Sequence, residues 1–154
     1  MSINSFFTEP QPKQPGSIKV KKKLPTTRKT RSDKRHNVKF PITPTEHQLL
    51  KMTFKQASES LANKSNKELT QTHFNTILLK FALSHLEVVD WNKPYKDTKR
   101  YMHTQPLETD YREIGGPYGL STQKQMSDRK VVYYLVISAL HWLRREGNYE
   151  KILQ

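Results

Sequence analysis

The chain has 154 residues, a formal net charge of +13, a pI near 9.9, 34% hydrophobic residues and no cysteine. That length supports one domain or two small ones, and the lack of cysteine excludes disulfides, thiolate zinc sites and a cysteine nucleophile. A charge this positive seeks polyanions: nucleic acid first, then an acidic membrane surface or an acidic protein.

The opening MSINSFFTEPQPKQPG lacks the apolar stretch and cleavage pattern of a secretory signal, and no run of about 20 apolar residues spans a bilayer. Both observations predict a cytoplasmic protein with no membrane partner. Residues 1–36 hold ten Lys or Arg against Glu9 and Asp33, a local net charge of +8, together with Pro10, Pro12, Pro15 and Pro25. Such a segment reads as a disordered basic arm. Lys21, Lys22, Lys23, Arg28, Arg31, Lys34 and Arg35 would then meet phosphates, the alternative being a solubilising tail.

From Asn37 the texture changes. NVKFPI puts Val38, Phe40 and Ile42 on one side and Asn37, Lys39 and Pro41 on the other, the period-2 pattern of a short strand with one buried face. Pro41 cannot donate to a ladder and requires a free edge. TPTEHQLLKMTFKQASESLA predicts a helix, with Thr43 and Glu46 spaced as a capping box and Leu49, Leu50, Met52, Phe54, Ala57 and Leu61 as its apolar positions. After NKSNKE, LTQTHFNTILLKFALSHLEVV predicts a second helix capped by Thr70 or Thr72, burying Phe74, Ile77, Leu78, Phe81, Ala82 and Leu86.

The same order then recurs. RYMHT reads as a strand, PLETDYREI as a helix opening, GGPYGLSTQKQ as a breaker and loop, and MSDRKVVYYLVISALHWLRREG as a long helix capped by Ser127. Aligning Pro44 with Pro106 sets Phe40 opposite Met102 at an offset of 62, and aligning Thr70 with Ser127 brings Ala82, Leu83 and Leu86 onto Ala139, Leu140 and Leu143 at an offset of 57. A strand-helix-helix unit written twice explains this, because one copy cannot close a core while two can pair their strands over shared helices. The predicted domains are the arm 1–36, a first unit 37–90 and a second unit 91–154 sharing one core with it.

The helix VVYYLVISALHWL is apolar on nearly all sides, which predicts either a central core helix or a surface for self-association into a homo-oligomer. Enzyme chemistry finds no footing. The six histidines are scattered, GGPYG lacks the Lys-Ser/Thr ending of a phosphate loop, and no paired carboxylates or nucleophile signature occur. Neither a metal nor a cofactor is predicted.

With its strand-helix-helix order repeated, the chain resembles the ribbon-helix-helix family of DNA-binding proteins over about residues 37–146. The nearest form is the tandem single-chain one of TraY-type relaxosome accessory proteins. The resemblance implies a mainly α fold with a short two-stranded antiparallel β-ribbon and two ribbon-helix-helix units in one chain. It implies that the ribbon enters the major groove of double-stranded DNA while the N-terminus of each second helix holds a phosphate. Carried over by position, the base-reading residues are Asn37 and Lys39, with Pro41 on the same side, and Lys99, Tyr101 and His103; the phosphate anchors are Thr70, Thr72, Ser127 and Arg129. The implied role is a relaxosome accessory at a plasmid transfer origin, with a relaxase or other DNA-processing protein as partner, or a transcriptional repressor. Two rivals stand beside it. The basic arm with Tyr95, Tyr101 and Tyr118 also suits an RNA-binding or ribosome-associated protein, and the arm alone suits an acidic protein partner.

Overall fold

The structure, a computed structural model, describes residues 34–64 and 68–153. Within them the chain is mainly helical, with one two-stranded antiparallel sheet. Strand β1 (Val38–Pro41) pairs with β2 (Tyr101–Thr104) in the register Val38 to Thr104, Lys39 to His103, Phe40 to Met102 and Pro41 to Tyr101. Phe40 and Met102, which the repeat alignment sets in equivalent places, thus lie directly opposite one another. Alternation sorts most of the faces as the sequence predicts: Phe40, Ile42, Met102 and Thr104 are buried and Lys39 and His103 exposed, but Val38 is only half-buried and Pro41, expected on the outer side, is buried.

Pairing continues past the named strands in the same register. Arg35 bridges Leu107, His36 N donates to Pro106 O (2.9 Å), and Glu108 N donates to Lys34 O (2.8 Å). Lys34, Arg35 and His36, read from sequence as part of a disordered arm, are therefore fastened to the fold. Their backbone groups have partners that composition cannot foresee. The rest of the predicted arm, with Lys21, Lys22, Lys23, Arg28 and Arg31, lies outside the described residues.

Helix α1 (Pro44–Lys64) opens on the predicted capping box: Thr43 N donates to Glu46 Oε1 (3.1 Å) and Glu46 N to Thr43 Oγ1 (3.2 Å). Each side-chain oxygen accepts from a backbone N–H that the helix itself leaves free. One of its apolar positions differs from expectation. Met52 is 46% exposed, and the inward place beside it is taken by Thr53, whose hydroxyl donates to Leu49 O (2.8 Å) and accepts from Arg144 Nη1 (3.1 Å). Helix α2 (Gln71–Ser84) is capped by Thr70, whose Oγ1 accepts from His73 N (3.1 Å), while Thr72 lies inside the first turn. It stops at Ser84, so Leu86 falls in a following 3₁₀ turn (Leu86–Val88) and is exposed rather than buried.

In the second half, α3 (Glu108–Gly115) is much shorter than α1 and is followed by α4 (Leu120–Lys124) inside the stretch predicted to be loop. Gly119 lets the chain turn there: a Cβ would stand 2.5 Å from Ile114 O. Helix α5 (Asp128–Glu146) is capped by Ser127, whose Oγ accepts from Lys130 N (3.2 Å), and ends at Gly147 with φ 67°, the left-handed conformation suited to glycine. A last short helix, α6 (Tyr149–Leu153), follows.

The core is drawn from both halves, including Phe40, Leu50, Phe74 and Leu78 from the first and Met102, Val131, Leu135 and Leu140 from the second. Helices α2 and α5 pack on each other, β1 lies on α5 and β2 lies on α2. Every residue from Val131 to Leu140 is buried, because α5 is wrapped by α1, α2, α3, α4, β1 and the 3₁₀ turn. This corrects the expectation of a self-association surface there: the apolar circumference is consumed within one chain. No described helix is long and apolar enough to cross a membrane.

Candidate nucleic-acid interface

The exposed face of the ribbon and the start of α5 enclose an open groove of about 800 Å³. Its walls include Asn37, Lys39 and His103 from the ribbon side and Ser127 and Arg129 from the helix. Five residues nominated separately by sequence thus meet in one place. A second cleft of about 410 Å³ joins Arg35 and Gln105 to Thr70 and His73 at the start of α2. Arg35 is held over it by Nη1 donating to Gln105 O (2.9 Å).

Tyr101 organises the first groove. The Lys39 Nζ stands 4.6 Å from its ring centroid and the Arg129 guanidinium carbon 5.0 Å from the same centroid. The negative face of an aromatic ring attracts such cations. Its hydroxyl donates to Asp97 Oδ1 (2.9 Å) and accepts from Arg129 Nη1 (3.5 Å). Half-buried and so engaged, Tyr101 positions the two cations beside the ribbon. The Lys99 N–H (3.1 Å to Asp97 Oδ1), followed by the Tyr101 hydroxyl, holds the Asp97 carboxyl below its usual pKa, and in return Asp97 raises that of Tyr101. Lys99 itself precedes the strand, exposed, with φ 62°. It sits in the turn that Asp97 closes, outside the paired part of the ribbon. Pro41, though on the outward parity, is buried.

The two helix starts differ. The first turn of α2 carries no acidic residue. That of α5 carries Asp128, whose Oδ2 accepts from the Tyr111 hydroxyl (2.7 Å) while Oδ1 accepts from the Ser121 hydroxyl. Tyr111 stacks on His36 with ring centroids 4.1 Å apart, and His36 pairs with Glu108, which also accepts from Arg112 Nε (2.8 Å). His36, then Arg112, lower the pKa of Glu108. This cluster fastens residues 34–36 beside the groove.

The main chain of β2 is held from behind by α2. Asn75, buried, donates Nδ2 to His103 O (3.0 Å), and Thr76 Oγ1 accepts from Gln105 N (2.8 Å). Sequence reasoning missed Asp97, Tyr111 and Asp128 as groove residues and named Tyr95 only for the RNA-binding rival, because positions from a loop, α3 and the start of α5 converge only in three dimensions. It also missed Gln105, which extending the 101, 103 alternation by one step would have found. No protein-family model, curated protein or solved structure matches the chain.

Proposed function

We propose that the chain is a sequence-specific double-stranded-DNA-binding protein made of two ribbon-helix-helix units in one chain, with the exposed ribbon face inserted in the major groove. The observation that carries this reading is the exposed Lys39–His103 pair beside Phe40 and Met102, on a ribbon bordered by clefts that lead to the Thr70 and Ser127 helix caps. A two-stranded ribbon fits the width of the major groove, and Lys and Asn side chains suit base-edge acceptors and donors. Helix starts with free N–H groups suit phosphates, and Arg129 and Arg35 add charge beside them.

The doubled unit is supported by the register. Residues 62 apart in sequence stand opposite each other at Phe40 and Met102. Each strand lies on the second helix of the other half, and those two helices pack together. The process is carried by the resemblance alone: an accessory at a plasmid transfer origin, working with a relaxase, or a repressor.

The test is competition binding by the full chain between duplex DNA and structured RNA, with salt titrated. Preferred binding of duplex, weakening steeply with salt, is the expected result. Preference for RNA, or binding to neither, overturns the proposal.

A further inference from the structure

We infer that the reading face is one-sided: the chain recognises a non-palindromic duplex in a single orientation, through Asn37, Lys39, His103 and Gln105. The inference rests on the DNA-binding reading above and adds the symmetry class of the target.

The ribbon has a centre at the pair Phe40–Met102. On one side of it stand Lys39 opposite His103 and, one step further in the continued register, Asn37 with Gln105. All four are exposed. Their chemistry suits base edges: Asn and Gln can bond adenine through two contacts, and Lys reaches the acceptors of guanine. The main chain beneath them is fixed by Asn75 and Thr76 and by Thr104 Oγ1 donating to Val38 O (2.8 Å).

Across the centre the corresponding pair is Pro41–Tyr101. Pro41 is buried and has no N–H, the Tyr101 hydroxyl is committed to Asp97, and its ring lies against Lys39 and Arg129. Beyond them the strand gives way to the left-handed residue Lys99. A two-fold symmetric site would offer the same base pattern to two chemically different surfaces: at the paired outward positions one end presents the exposed Lys39 and His103, the other the buried Pro41 and the engaged Tyr101. The acid-free start of α2 and the Asp128-bearing start of α5 repeat that inequality at the phosphates.

Selection of bound sequences by the full chain from a random duplex library tests this. The expected motif is non-palindromic, with its information gathered in one half. Asn37→Ala and Gln105→Ala, both at exposed positions, should each lower discrimination within that half by about 5- to 100-fold. A palindromic motif with equal information in both halves overturns the inference and leaves DNA reading standing. Duplex binding with no enriched motif overturns the inference and sequence specificity together, and no duplex binding at all overturns the proposed function with it. Should either variant fail to fold by circular dichroism, the symmetry of the wild-type motif alone decides.

Discussion

Lys39 and Phe40 are neighbours with opposite fates: one is exposed over the groove, the other fully buried under the ribbon. Phe40→Ala should lower unfolding free energy by about 3–5 kcal/mol, the usual cost of emptying a buried aromatic site. Lys39→Ala should leave the thermal midpoint nearly unchanged and reduce preference for a selected site over random duplex by roughly 1–3 kcal/mol. Thermal melts and paired affinities on both variants check it, and the sorting of adjacent residues is what a strand imposes and a helix would not. This alternation was legible in the sequence at Phe40, Ile42 and Met102. Pro41 was not, since its burial depends on what covers the ribbon end. Nor was Tyr101, whose partners Asp97 and Arg129 come from a turn and a helix. Histidine offers a second test. Burial first and then Lys93 lower the pKa of His141, and burial, Lys51 and Arg100 lower that of His47. The unfolded chain, with histidines near the ordinary 6.5, then takes up protons before the folded one. Stability from these groups is intact above that pH and falls as pH drops below it towards the folded values. Urea midpoints should be lower at pH 5.5 than at 7.5, and His141→Gln should flatten that difference.

At the scale of elements, local chemistry decided what could be read. The Thr43–Glu46 box and the Ser127 cap are short-range patterns that occur where the residues placed them, and of the two caps offered for α2, Thr70 and Thr72, the structure uses Thr70. Helix α4 was not legible, because GGPYG signals a break and the helix that resumes after it is five residues long. Thr43→Ala and Thr70→Ala should each cost about 1 kcal/mol of stability in chemical unfolding. Only Thr70→Ala should also weaken binding to all duplexes alike, since its cap borders the Arg35 cleft while Thr43 caps a helix that the proposed interface does not use. Gly119→Ala should destabilise by about 1–3 kcal/mol, as its Cβ has to displace the Ile114 carbonyl or move its own backbone.

For the whole molecule, the first and second halves of the chain share one core. The repeat offsets suggest a doubled order of elements, from which the second half departs in its short α3 and the added α4 and α6. The crossing of each strand onto the other half's helix was not legible, because sequence spacing says nothing about which helix covers which strand. The same crossing explains why α5 is apolar all round without any second molecule. Deleting residues 1–33, which spares the fastened Lys34–His36 segment, should weaken binding to every duplex about equally and flatten its salt dependence, as expected for loss of phosphate contacts. Loss of site discrimination with an unchanged salt slope would instead make the arm a base reader.

On the proposed function, DNA lies on the exposed ribbon face. Photo-crosslinking locates it most directly, with a photoreactive side chain placed in turn at position 39, at position 103 and, as control, at position 146. The last site is exposed near the far end of α5, about 25 Å along the helix from Arg129 at its rise of 1.5 Å per residue. Crosslinks to bases from positions 39 and 103, and none from 146, are the predicted result; crosslinks from 146 with none from the ribbon would contradict it.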